Sequence, residues 1–226
     1  MTIQNFKFAD HARAFDNHIG ASIPGYNQLR AQCVKISQRF IQDETGVIDI
    51  GCSTGRLLRS ISAYNQKWHS DVRYIGIDTE AAYQEHWIRN SRKGIQFEVA
   101  DARTFGGFDN ASLAISLFTV QFIREKDKRS LLSKIRNGLV PGGALIIAEK
   151  VLANTGRIQD ALTFPFYDHK RKTFSAETIL DKECRLRGQM TLWTEDEMKA
   201  VLREAGFRDL QSFWLNFPFV GLLALK

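Results

Sequence analysis

Apolar positions along much of the chain follow two alternating periods. Leu29, Cys33, Ile36 and Phe40 recur at helical spacing and predict an amphipathic helix over about 26–42. Short continuous apolar runs, bounded by glycine or polar residues, predict buried strands over about 46–50, 72–77, 95–99, 113–118 and 144–147. Helical patterns lie between these runs, so we expect βαβ units and a parallel sheet.

The later part of the chain changes this rhythm. A helix over about 126–139 is expected to end at Pro141-Gly-Gly143, because proline cannot continue a helix and glycine relieves the turn. The polar, helical stretch over about 151–190 interrupts the alternation and predicts an inserted lid or dimerisation arm.

The last part resumes the alternation. Thr194 with Glu197 three residues later forms a capping-box pattern, which predicts the start of a helix. Two final strands are predicted over about 210–215 and 219–224. The whole predicts an α/β fold: a mostly parallel seven-stranded sheet, helices on both faces and a helical insertion. We expect a single domain over 1–226 with a helical cap over about 1–45, because no repeat or linker interrupts the sequence.

Composition narrows the class of protein. The 226 residues are 44% hydrophobic and 25% charged, which is ordinary for a soluble domain. No apolar run reaches the ~18 residues of a membrane span, and the stretch 1–15 lacks the apolar core of a secretory signal. Three cysteines without CxxC spacing predict a reduced cytoplasmic compartment, with neither a disulfide framework nor a metal site.

The net charge of +6 and the pI of about 9.3 allow two interpretations. One is an anionic partner, either RNA or a carboxylate or phosphate metabolite. The other is an ordinary solvated surface, which we favour because most basic residues alternate with acids, as over 124–129. The sequence contains no recognisable RNA-binding module, so we expect a small anionic molecule rather than RNA as the partner.

The most informative stretch is Val47-Ile-Asp-Ile-Gly-Cys-Ser-Thr-Gly55, where a strand leads into a glycine-containing turn and a helix. Gly51 and Gly55 allow a sharp turn and a close approach of the backbone to a ligand. Asp49 precedes the turn, and its carboxylate can accept hydrogen bonds from the ammonium of a bound amino acid, which a dinucleotide lacks.

Two more acidic residues follow the next two predicted strands. Asp78 can accept from both ribose hydroxyls of a nucleoside, and Asp101 can accept from an adenine amine. Three acids at the carboxyl ends of successive strands favour S-adenosylmethionine (SAM) or S-adenosylhomocysteine as the ligand. An NAD enzyme is the competing interpretation, although the turn lacks a full GxGxxG.

Several motifs across the chain resemble those of the carboxy-S-adenosylmethionine synthase family. They are Phe15-Asp-Asn-His-Ile19, Ser22-Ile-Pro-Gly-Tyr26, Asp49-Ile-Gly-Cys-Ser53, Phe118-Thr-Val-Gln-Phe122, Gly138-Leu-Val-Pro-Gly-Gly143, Glu149-Lys150 and Phe213-Trp-Leu-Asn-Phe217. The resemblance implies a Rossmann-like class I methyltransferase fold and a homodimer. It also implies an activity that carboxylates SAM with prephenate as the carboxyl source, for tRNA wobble-uridine modification.

The same resemblance implies a set of cofactor-binding residues. They are Tyr26, Gly51, Cys52, Ser53, Asp78, Thr79, Asp101 and Ala102. Two positions depart from the family pattern. Leu117 stands where the family has Asn, and Glu183 stands where it has an Arg that grips the extra carboxylate of the product. A carboxylate there is expected to repel that group, unless Arg185 or Arg187 substitutes for the missing Arg.

Candidate catalytic residues are fewer. Tyr26 follows Pro-Gly near the predicted cofactor turn and can cover the sulfonium or the substrate. His169 and His18 are candidate general bases, although a lone histidine is more often structural. Arg171, in the cluster Asp168-His-Lys-Arg171, is a candidate anion-binding residue. Cys52 at a helix start is a weak candidate nucleophile, since no histidine partner is evident.

These features support one leading function and three alternatives. The leading one is a transferase that moves the methyl group of SAM to a small, anionic acceptor. The alternatives are a carboxy-SAM synthase that uses prephenate, a SAM-binding regulatory protein without activity, and an RNA methyltransferase.

Overall fold

In a computed structural model, which describes residues 8–186 and 188–226, seven strands form one sheet. The strands are Gly46–Ile50 (β1), Arg73–Asp78 (β2), Ile95–Val99 (β3), Ala111–Leu117 (β4), Leu139–Lys150 (β5), Leu210–Asn216 (β6) and Phe219–Leu225 (β7). Their order is β3-β2-β1-β4-β5-β7-β6. The first five are parallel, and β7 runs antiparallel to both neighbours. The mostly parallel seven-stranded sheet is therefore confirmed.

The α-helices of the described residues flank this sheet. They are Phe15–Ser22 (α1), Tyr26–Ser37 (α2), Arg56–Asn65 (α3), Gln84–Arg89 (α4), Glu125–Gly138 (α5), Gly156–Arg171 (α6), Ala176–Leu186 (α7) and Glu195–Glu204 (α8). One core layer packs α5 and α8 against one face, and another packs α2, α3 and α6 against the opposite face. Alternate residues of a strand point to opposite faces, so Ile48 and Val47 enter different layers.

One predicted helix boundary is wrong, and for a second helix, found within one residue of its predicted bounds, the predicted cause of its end is wrong. The helix that begins at Tyr26 ends at Ser37, five residues earlier than the apolar period suggested. The helix that begins at Glu125 ends at Gly138, before the proline, because the backbone becomes extended at Leu139 and continues as β5. A Cβ at Gly138 would lie 2.5 Å from the carbonyl oxygen of Phe108, so glycine permits this close contact.

The capping box and the insertion are both present. The Thr194 hydroxyl accepts from the amide of Glu197 at 3.2 Å, and the Glu197 carboxylate accepts from the amide of Thr194 at 2.7 Å. Helices α6 and α7 follow the end of β5 and form the predicted helical insertion. Among the described residues, no helix combines the length and the apolar character needed to cross a bilayer.

Candidate functional site

A cavity of about 700 Å³ opens at the carboxyl ends of the parallel strands. β1 lies between β2 and β4, so the chain order reverses direction beside β1. Ligands of open α/β sheets bind in the crevice at such a reversal, because loops on either side of it diverge. Residues from β1, β2, β4, α1, α6 and α7 line the cavity, which places the helical insertion over its outer end.

The turn after β1 comes very close to the turn after β4. Gly51 has a φ of 72°, in the left-handed region that favours glycine, and a Cβ there would overlap the Thr119 side chain. The Thr119 hydroxyl donates to the carbonyl oxygen of Ile50 at 3.1 Å. Glycine is therefore needed at this position both for the backbone conformation and for the approach of the two turns.

Asp49 is buried beside this turn and faces the cavity. Its Oδ2 atom finds no hydrogen-bond donor among the described residues. Burial, with a smaller contribution from Asp78, raises the pKa of Asp49 to about 7. An unpaired buried carboxylate is costly, so this atom is suited to a cationic ligand group.

Asp78 lies at the end of β2 and fastens the glycine turn. Its Oδ2 accepts from the amide of Ser53 at 2.9 Å, and its Oδ1 accepts from the amide of Glu80 at 2.9 Å. Burial raises the pKa of Asp78, and these backbone donors oppose the shift. Each carboxylate oxygen has a further lone pair, so Asp78 can still accept from ligand hydroxyls.

Asp101 lines the same cavity, but its carboxylate is engaged. The Arg103 guanidinium donates to both oxygens, from Nη2 to Oδ2 at 2.5 Å and from Nε to Oδ1 at 3.0 Å. The hydrogen bonds from Arg103 hold the pKa of Asp101 below its usual range. A ligand amine that binds Asp101 must therefore share the carboxylate with Arg103.

A buried carboxylate holds the turn after β4. Glu149 accepts from the amides of Val120 and Gln121 at 2.9 and 3.0 Å. Burial raises its pKa to about 8 against the effect of these donors. These two hydrogen bonds hold the backbone next to Phe118, whose φ is 58°. Leu117, the preceding residue, lies on the cavity wall.

Tyr26 and Cys52 both line the cavity. Gly25, with a φ of 74°, starts the helix that carries Tyr26, and a Cβ on Gly25 would lie 2.4 Å from the side-chain nitrogen of Asn216. Burial raises the pKa of the Tyr26 hydroxyl, so Tyr26 stays protonated. Burial also raises the pKa of the Cys52 thiol, which is not the thiolate that a nucleophile requires.

The outer end of the cavity holds a cluster of charges, which we call the lysine cluster: Lys150, Lys170, Lys182 and Glu183. Glu183 lies 3.0 Å from the Lys170 ammonium and 3.6 Å from that of Lys150. Burial would raise the pKa of Glu183, but the two lysines outweigh it and hold that pKa below its usual range. The repulsion of an anionic ligand by Glu183 stays a prediction, and the pairing of Glu183 with Lys150 and Lys170 is expected to weaken it.

The amino-terminal helix closes the cavity from above. The Thr54 hydroxyl donates to the carboxylate of Asp16 at 3.1 Å, which docks α1 on the glycine turn. Phe15 packs edge-on against Tyr83, with ring centroids 5.4 Å apart. We call residues 8–22 the roof, since they cover the cavity between the turns after β1 and β2.

The structure brings together most, but not all, of the predicted site residues. Thr79 and Ala102 line the cavity, whereas Gly55, His169, Arg171 and Arg185 do not. Arg185 pairs with Asp181 at 2.9 Å, and Arg187 lies outside the described residues. On α6 the buried residues Phe166 and Lys170 are four positions apart and share one face of the helix. His169 and Arg171, on either side of Lys170, therefore point away from the cavity.

Sequence reasoning missed Lys150, Lys170 and Lys182 as site residues. Lys150 had a detectable signal, because it ends β5 at the same sheet edge as Asp49. Lys170 and Lys182 depend on how the insertion packs on the sheet, for which no local pattern exists. Among the described residues, no group of three or more His, Cys, Asp or Glu could hold a metal ion.

Comparison with known proteins agrees with this geometry. A family model of the methyltransferase domain matches residues 47–143. A carboxy-S-adenosyl-L-methionine synthase of Klebsiella pneumoniae is 32% identical over 221 residues, covering 95% of this chain and 88% of the relative. The synthase of Staphylococcus epidermidis is 30% identical, covering 98% and 96%.

Solved structures show the same fold. The N-methyltransferase NodS of Bradyrhizobium japonicum, in complex with S-adenosyl-L-homocysteine, superposes with a TM-score of 0.60 at 13% identity, covering 90% of this chain and 88% of that one. At this identity the likeness concerns the fold alone. The sequence relatives carry the stronger statement: the chain belongs to the carboxy-S-adenosyl-L-methionine synthase family and is a SAM-dependent transferase with the class I methyltransferase fold.

Proposed function

We propose that the protein transfers the methyl group of SAM to a small-molecule acceptor that carries an anionic group. The observation that carries this proposal is the lysine cluster. By the family resemblance, Glu183 corresponds to the Arg that grips the extra carboxylate, and here it pairs with Lys150 and Lys170. The site lacks a bidentate guanidinium for the extra carboxylate of a carboxylated sulfonium, yet its charge remains positive.

The inner end of the cavity fits SAM. The unpaired Oδ2 of Asp49 is suited to the ammonium of the methionine part, and Asp78 to the ribose hydroxyls. Asp101 is suited to the adenine amine, and Gly51 lets the backbone approach the ligand. When bound, SAM supplies a sulfonium that is already an activated methyl donor. The residues of the chain contribute binding, alignment and the exclusion of water.

The outer end is suited to the acceptor. The positive charges of Lys150 and Lys170 outnumber the negative charge of Glu183, so an acceptor carboxylate is attracted there. Tyr26 lies on the cavity wall and, as a protonated phenol, can donate a hydrogen bond or cover the sulfonium. Neither of these roles requires the Tyr26 hydroxyl to lose its proton, so the contribution of Tyr26 is the positioning of the reactants.

The second candidate is carboxy-SAM synthesis from prephenate. Two observations favour it: the relatives that cover most of the chain carry that name, and the positive lysine cluster can hold an added carboxylate without the Arg. In this case Lys182 would take the place of the family's Arg beside the ligand.

The two candidates differ in their products. Purified protein is incubated with SAM, with and without prephenate, and with small carboxylate-bearing acceptors, and the products are separated by mass spectrometry. Release of S-adenosylhomocysteine that depends on an acceptor supports methyl transfer. Prephenate-dependent formation of the carboxylated sulfonium would contradict it and support the synthase.

A further inference from the structure

His18 and Lys182 meet at the outer end of the cavity from opposite parts of the chain. His18 belongs to α1 in the roof, and Lys182 to α7 in the insertion. Their Nε2 and Nζ atoms are 2.8 Å apart. Lys182 also donates to the hydroxyl of Ser22 at 3.2 Å, and that hydroxyl lies 3.5 Å from His18 Nε2.

A contact between two nitrogen atoms at this distance holds one proton between two lone-pair sites. A neutral amine can donate one N–H to a neutral His18 and keep its lone pair for a substrate proton. Once protonated, the ammonium can pass a proton along the same contact to the imidazole without any movement of the heavy atoms. Both residues line the cavity, so a substrate atom bound there can join the same hydrogen-bonded chain.

We propose that Lys182, hydrogen-bonded to His18, is the general base that removes the proton from the acceptor's nucleophile during methyl transfer. The proposal rests on the methyl transfer proposed above. The nucleophile's N–H or O–H bond breaks, and its proton joins the lone pair of Lys182. The electron pair left on the nucleophile forms the bond to the methyl carbon, and the carbon–sulfur pair stays on sulfur as the thioether. The proton then passes through His18 to solvent.

The surroundings of Lys182 favour the neutral amine that a base requires. Among the described residues, the groups that face it include His18 and Ser22 from α1, Lys170 from α6 and its neighbour Glu183. Burial, with a smaller effect of Lys170, lowers the pKa of Lys182 to about 8 against the opposing effect of Glu183. Because Glu183 also pairs with Lys150 and Lys170, it stabilises a positive charge on Lys182 less strongly. When the pKa of a base lies near the working pH, a large share of it is unprotonated and it still binds a proton strongly enough to remove one from the substrate.

The catalytic test compares variants on acceptors whose nucleophile is protonated, with para-hydroxybenzoate and glycine as probes. Lys182→Arg keeps a positive charge but cannot act as a base, and we expect a loss in kcat on the order of 10²–10⁴ with KM for SAM little changed. His18→Gln should lower kcat less and shift the pH–rate profile. Lys182→Ala should regain activity with added methylamine or ethylamine, which a merely structural lysine would not do. Lys199→Ala is the control, because Lys199 pairs with Glu195 on α8, outside the cavity.

A second measurement needs no acceptor. Trace acetylation between about pH 6 and pH 11, read by peptide mass spectrometry, should show Lys182 becoming reactive near pH 8, below the ordinary lysine value of about 10.4. His18→Gln should move the Lys182 midpoint.

Three outcomes overturn the proposal. Full activity of Lys182→Arg in a protein that releases S-adenosylhomocysteine would overturn the base alone. Prephenate-dependent carboxylation in place of methyl transfer would overturn the proposed function and the base with it. A Lys182 acetylation midpoint at the ordinary lysine value of about 10.4 would show that the amine is not available as a base near neutral pH.

Discussion

The substitution Glu183→Gln removes the negative charge that lies between two lysine ammonium groups of the lysine cluster. At an effective dielectric constant of about 20, a pair at 3.0 Å contributes about 5.5 kcal/mol of attraction, and one at 3.6 Å about 4.6 kcal/mol. Desolvation of the three groups offsets much of this sum, so the net contribution is far smaller. Removing one partner, however, leaves Lys170 buried with a side chain only 3% exposed.

Loss of one partner from a buried pair typically costs about 3–5 kcal/mol. The Glu183 side chain is 20% exposed, so we expect a loss in the free energy of unfolding near the lower end, about 3 kcal/mol. Urea denaturation at pH 7 measures it, with the slope against urea expected to stay constant. The matched control is Asp181→Asn on the same helix, where an exposed pair with Arg185 contributes about 0.5 kcal/mol or less.

The pH dependence provides a second check on the sign. The folded-state pKa of Glu183 is below its usual value, so its stabilising contribution is present above the pKa of the unfolded chain. This contribution is lost as the pH falls through the folded-state pKa. The difference between wild type and Glu183→Gln should therefore be full at pH 7 and shrink below about pH 4. A loss under about 1 kcal/mol at pH 7, or one equal to that of Asp181→Asn, would refute the reasoning.

Four further predictions follow from the same contacts. Asp49→Asn should weaken SAM binding at least about tenfold by calorimetry; because the pKa of Asp49 is about 7, wild-type affinity should rise with pH through that value, and a flat profile would contradict the assignment. Asp78→Ala should cost about 2–3 kcal/mol of SAM binding and Asp101→Ala about 1 kcal/mol, since Arg103 already holds Asp101; equal losses would count against this difference. Lys182→Met should raise the free energy of unfolding at pH 7 by about 2–3 kcal/mol, because burial disfavours the charged lysine. The gain should vanish toward pH 10.5, because between the folded-state pKa of about 8 and the unfolded-state pKa of about 10.4 only the unfolded wild-type chain binds the proton. A gain that does not change with pH would show that the lysine is not desolvated. We predict a homodimer formed through the insertion, where the Phe164 side chain is 66% exposed. In light scattering, Phe164→Ser should shift the measured mass towards that of the 25.8 kDa monomer, and a monomeric wild type would make this prediction wrong.

The inner end of the site was predictable because its residues follow the strands. Asp49 and Asp78 come at the ends of β1 and β2, and parallel strands bring their carboxyl ends to one edge. The engagement of Asp101 by Arg103, two residues away, was not predicted, although the pair is local in sequence. The boundary error also has a local cause, because an apolar period continues past the point where the helix ends.

The outer end could not be predicted in the same way. His18 and Lys182 are 164 residues apart, and their contact depends on the docking of the roof against the insertion. Helical period does show that His169 and Arg171 cannot share the buried face of Lys170, but only once the buried face of α6 is known. The family resemblance identified Glu183 as a departure from the family pattern. The two lysines that pair with Glu183 are brought to it by tertiary packing and could not be predicted from the sequence.

The roof has a consequence for the kinetics of the enzyme. Residues 8–22 lie above the glycine turn and are tied to it through Asp16 and Thr54. We expect the nucleoside product to leave past these contacts, so that a motion of α1, rather than the chemical step, sets the rate of turnover. Turnover should then slow as solvent viscosity rises, and loosening the Asp16–Thr54 contact should speed turnover even as it weakens retention of the ligand.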